Sequence, residues 1–143
     1  MDEYEKKELM SVIDSGWFTE AKKTKEFERK FADFTNCKYA CTVTSGTAGL
    51  YLGLLAMELK KNDEVIVPAL SWISTANVVE NVGCKTVFCD IDLSTFNINL
   101  DDLRSKITNN TKAIIPVHLF GYPIDIEIIK GIIGDRYLSL IHI

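Results

Sequence analysis

The stretch Glu64-Val65-Ile66-Val67-Pro68, then Ser71-Trp72-Ile73-Ser74-Thr75-Ala76-Asn77, then Gly83 and Thr86-Val87-Phe88-Cys89-Asp90-Ile91 decides the fold class. A short apolar run closed by a proline reads as a strand over residues 64–67. Residues 75–82 follow with helical spacing, and Gly83 is placed to end that helix in the left-handed conformation. Residues 86–91 return to strand character. A strand, a helix and a second strand of this length predict parallel pairing through a right-handed crossover.

Working outward, the alternation continues in both directions. Residues 39–43 are a short strand candidate. Residues 47–59 form an apolar helix, with Ala48, Leu52, Leu55 and Leu59 on one stripe, and so rich a stripe predicts cover on more than one side. Asn99 precedes a helix over residues 100–107, with Asp102 in capping-box position. Residues 113–119 read as a fourth strand, almost wholly apolar as in a sheet covered on both faces. Pro116 lacks a ladder donor, so a local bulge or an unpaired N–H is expected there. A further helix is expected over residues 125–133. Two amphipathic segments, residues 2–13 and 22–34, precede the first strand. Phe27, Phe31 and Phe34 lie at i, i+4 and i+7 and are expected to pack in a core. Trp17 and Phe18 sit in a loop, either packed under the helices or used at a subunit or ligand contact. The fold class is therefore α/β: a mostly parallel sheet with flanking helices.

The bulk properties exclude several classes. The chain has 143 residues, 47% apolar and 25% charged, with a net charge of −4. That composition suits a globular domain rather than a disordered one. No basic block marks a nucleic-acid or membrane surface, and the longest apolar runs are too short to span a bilayer. The acidic, polar N-terminus does not read as a secretory signal. Cys37, Cys41, Cys84 and Cys89 match no zinc spacing, which predicts reduced, mostly packed thiols in a cytoplasm.

Three segments offer chemistry, each at the expected end of a strand. Thr44-Ser45-Gly46-Thr47-Ala48-Gly49 lies where a strand gives way to a helix. Free N–H groups and the positive dipole end suit a phosphate there, and Gly46 permits close backbone approach. Ser45 and Thr47 also read as ordinary N-caps. The segment is neither a Walker loop nor a dinucleotide fingerprint. Residues 68–77 present Trp72 at the carboxyl end of a strand, where open α/β sheets bind ligands. The alternative is a packed Trp72 with Ser71 as a cap. His118, in Pro116-Val117-His118-Leu119-Phe120-Gly121-Tyr122-Pro123, reads first as a hydrogen-bonded structural residue. No sequence partner supports a metal or a Cys-His pair.

Taken in order, Thr44–Ala48, Asp63–Pro68, Ser71–Asn77, Gly83, Val87, Asp90-Ile91-Asp92, Asn97-Ile98, and Thr111–His118 with Gly121 resemble one family. It is the DegT-type nucleotide-sugar aminotransferases, pyridoxal 5′-phosphate (PLP) enzymes of the aspartate-aminotransferase fold (fold type I). The resemblance runs from about Trp17 to Lys130. It implies that residues 1–137 are the N-terminal part of an incomplete PLP-binding large domain. Gly46 and Thr47 would then hold the cofactor phosphate, and Trp72 would stack on the pyridine ring. It also implies a keto nucleotide-sugar substrate, glutamate as amino donor, and a homodimer, serving amino-sugar or surface-polysaccharide synthesis.

The lysine that links to the cofactor and the aspartate at the pyridine nitrogen have no matching positions here, so catalytic residues are assigned to none. Two alternatives accompany this reading. One is a non-catalytic PLP-binding regulator; the other is a sugar dehydratase of the same fold that uses pyridoxamine phosphate (PMP). Glu20-Ala21 depart from a glycine usual in the family. The six residues 138–143 resemble a translated sequencing adapter, and a non-native tail is expected there, with an ordinary apolar strand as the alternative; His142 is given no functional weight.

Overall fold

The computed structural model describes residues 2–19, 22–138 and 141–142. Glu20-Ala21, where the family glycine is expected, lie outside the described residues. The chain divides into two compact units, Met1–Val43 and Thr44–Ile143.

The first unit holds helices α1 (Glu3–Ser15) and α2 (Lys22–Phe34), as the amphipathic pattern predicts. Asp2 and Glu5 form a reciprocal capping box at the start of α1, and Gly16 closes it at φ +67. The Phe27 and Phe31 rings meet at 5.8 Å. The expected core stripe is nonetheless solvent-facing, with Phe34 86% exposed. The spacing specifies a face, but Ala32 is the one buried apolar residue described in this unit. Trp17 and Phe18 are exposed too, against the packed alternative.

The strand expected at residues 39–43 does not form. A strand needs a neighbour to complete its backbone bonds, and no described strand pairs with this one. Thr42 instead donates its N–H and hydroxyl to Glu28 Oε1, both at 2.9 Å. Those bonds, with the Lys25 ammonium, hold the Glu28 carboxyl down to about 2.

The second unit carries the alternation. Helix α3 (Gly46–Ala56) leads to β1 (Glu64–Pro68), α4 (Ser74–Asn81), β2 (Lys85–Cys89), α5 (Leu100–Lys106) and β3 (Thr111–Ile114). Then come β4 (Val117–His118), α6 (Ile126–Ile133), β5 (Tyr137–Leu138) and β6 (Ile141–His142). The main sheet has the order β2-β1-β3-β5, all parallel. Glu64 pairs with Lys85 and Pro68 with Cys89, and the β1–β3 register slips between Glu64 and Val65.

Strand β1 is buried along its whole length. Val65 and Val67 pack with Leu54, Val78, Val79, Ala113 and Ile115 on one face. Ile66 packs with Cys89, Leu103, Ile114, Ile129 and Ile133 on the other. Side-chain alternation along one strand thus feeds two cores. Helix α4 ends as predicted: Gly83 adopts φ +80, its N–H reaches Glu80 O, and Cys84 N–H reaches Val79 O. This pair of bonds is a Schellman motif.

Four expectations need correction here. The strand read over residues 113–119 is two strands, because Pro116 interrupts the ladder just after Ile115 N–H bonds Ile66 O at 2.9 Å. Asn99 caps α5, but Asp102 does not close a box on it. Its carboxylate takes the Asp90 N–H at 2.7 Å and the Lys106 ammonium at 2.8 Å instead. Helix α3 is covered on one side only among the described residues, leaving Leu52 and Leu55 about half exposed. Of the four thiols, Cys84 and Cys89 are buried while Cys37 and Cys41 are exposed, and all are free. Burial pushes the Cys89 thiol up to about 12. No described helix is long and apolar enough to cross a membrane.

Candidate cofactor site

Helix α3 starts where Ser45, in extended conformation, breaks the chain's direction. Its hydroxyl accepts the Ala48 N–H at 3.1 Å, and its carbonyl accepts the Gly49 N–H at 3.1 Å. The capping role read from the sequence is therefore real, but it satisfies only the later amides of the turn. The N–H groups of Gly46 and Thr47 come earlier and have no intrahelical acceptor. With the dipole end, they suit an anion. A Cβ built on Gly46 would meet no atom within 4 Å, so the space in front of this turn is open. Capping and anion binding are thus compatible: Ser45 does the first and leaves Gly46 and Thr47 for the second. These residues fit a phosphate group.

A cleft beside the turn is lined by the cap residue Ser45, by Thr47, Ala48 and Tyr51 from α3, and by Val78 and Asn81 from α4. Trp72 is not among its lining residues. It stands in the loop between β1 and α4, 68% exposed. The packed alternative for Trp72 fails on that exposure. Ser71 does not cap α4 either: the cap position is Ile73, and the Ser71 hydroxyl bonds the Thr75 hydroxyl at 2.9 Å. With the Thr75 N–H on Trp72 O at 3.0 Å, this bond fixes the loop that carries the indole.

His118 is buried, and its Nδ1 accepts the Ile124 N–H at 2.9 Å. The structural reading of this histidine holds, with Nδ1 as the unprotonated nitrogen. Among the described residues no group of three His, Cys, Asp or Glu side chains could hold a metal.

Two features of the turn after β4 had no signal in the sequence. Phe120 adopts φ +54, a left-handed conformation rare for an aromatic residue, and is 82% exposed. Asn97 is buried and donates from Nδ2 to Tyr122 O at 3.3 Å, while its Oδ1 finds no partner.

Fold and site define an α/β protein with an open, Ser45-capped helix terminus and an exposed indole on a loop of its parallel sheet. The chain belongs to the DegT/DnrJ/EryC1/StrS aminotransferase family, which matches residues 1–142. It is 38% identical, at TM-score 0.90, to an Escherichia coli GDP-4-keto-6-deoxy-D-mannose-3-dehydratase with bound hydrated PLP. That match covers 99% of this chain and 38% of the dehydratase. A Streptococcus pneumoniae protein assigned as a sugar aminotransferase, in its PMP form, is 37% identical at TM-score 0.86. There the match covers 92% of this chain and 33% of the other. The 3-amino-5-hydroxybenzoic acid synthase is 32% identical at TM-score 0.89, over 98% of this chain and 38% of its own. The chain thus spans about two fifths of the length of the solved structures it matches. The family is PLP-dependent, and the resemblance and fold class read from the sequence stand.

Proposed function

We propose that the parent enzyme transfers an amino group from glutamate to a keto nucleotide sugar, using PLP, in amino-sugar or surface-polysaccharide synthesis. The observation that carries this reading is the α3 terminus, open at Gly46 and capped at Ser45 so that two amides remain for a phosphate. The Gly46 and Thr47 amides hold the phosphate and so fix the cofactor's position. Trp72 covers one face of its ring and keeps water from that face. Bound PLP supplies an electron sink for moving a proton between cofactor and substrate carbons. A lysine and an aspartate outside these 143 residues complete the chemistry, so this chain alone is inactive. The two half-reactions alternate, with the donor's product leaving before the sugar binds. The enzyme works as a cytoplasmic homodimer. Residues 1–137 are the N-terminal part of its PLP-binding domain, with 138–143 a non-native tail.

A second reading, PMP-dependent dehydration of the same substrate class, is favoured by the 38% identity to the E. coli dehydratase. One experiment separates them. The full-length protein is incubated with PLP, glutamate and a 4-keto-6-deoxy nucleotide sugar, and the product is read by mass spectrometry. Exchange of the carbonyl for an amine supports transamination. Loss of a ring hydroxyl without a retained nitrogen establishes the dehydratase. Unreacted sugar with bound PLP leaves the regulatory protein.

A further inference from the structure

We draw no further inference here: the strongest candidate, the cleft between the loop bridged by Ile91 and Ile98 and the turn after β4, carries nothing, because the partnerless Asn97 Oδ1 in its wall is itself closed off from solvent and the Asp92 and Asp125 carboxylates beside it are taken up by the backbone N–H groups of their own turn and helix start.

Discussion

Replacing Gly46 by leucine isolates the anion role of α3 from its folding role. A Cβ at this position meets no protein atom within 4 Å, and the residue is not held at positive φ. The protein therefore has no clash to relieve, and leucine is the better helix former by up to about 1 kcal/mol. Folding should be unharmed or slightly improved. A bound phosphate would lie against this backbone, and the new side chain would push it off the helix terminus. Losing one charge-assisted bond costs about 1.5–3 kcal/mol. That corresponds to a PLP dissociation constant about 10- to 150-fold higher. The assay is a fluorescence titration of the full-length protein with PLP and, in parallel, with pyridoxal, which lacks the phosphate. Gly46→Leu should weaken PLP and leave pyridoxal unchanged, at an unchanged or higher melting temperature. Unaltered PLP affinity would reduce residues 45–48 to a helix cap. Equal loss for both ligands would place the damage elsewhere in the pocket.

Four further outcomes are expected. Trp72→Ala in the full-length protein should weaken PLP by about 1 kcal/mol, some fivefold, if ring contact is the main loss; the same titration checks it. The 143-residue chain mixed with PLP and reduced by borohydride should show no lysine adduct near Thr47 and Trp72 in peptide mapping. Residues 1–137 expressed alone should be insoluble or molten, since Phe34, Leu52, Leu55 and Trp72 are all exposed; a sharp two-state unfolding transition would contradict this. The Lys106 ammonium and the Asp90 N–H hold the Asp102 carboxyl at about 2, below its unfolded value of about 3.9. Its stabilisation is present above that unfolded value and lost as pH falls from about 4 towards 2. Asp102→Asn should flatten this acid limb of denaturant-unfolding stability in the full-length protein.

The parts of the fold legible in the sequence are those whose determinants are local. Gly83 announces the end of α4 and Asn99 the start of α5. The apolar run Val65-Ile66-Val67 marks β1, covered on both faces. What failed depended on partners. Residues 39–43 have strand composition, but no described strand lies beside them. The Phe27, Phe31 and Phe34 stripe has core spacing, but nothing in its own unit covers it. Asp102 has box spacing, yet Lys106 one turn on and the Asp90 amide compete better for its carboxylate.

For the site, the start of α3 at Gly46 was legible from Ser45 ahead of an apolar helical run, although the strand read before it does not form; the phosphate role of Gly46 and Thr47 is part of the proposal. The position of Trp72 in the loop after β1 was legible too; its contact with the cofactor ring is part of the proposal. The strain at Phe120 was not legible, because a positive φ in a residue other than glycine leaves no mark in composition or spacing.

The central claim is that Gly46 and Thr47 form the phosphate seat of a PLP enzyme. A crystal structure of the full-length protein grown with PLP tests it directly. The phosphate oxygens should lie about 2.7–3.2 Å from the backbone nitrogens of Gly46 and Thr47, with the Trp72 indole over the pyridine ring. A cofactor phosphate seated on other residues, with the α3 terminus facing only water, would contradict it.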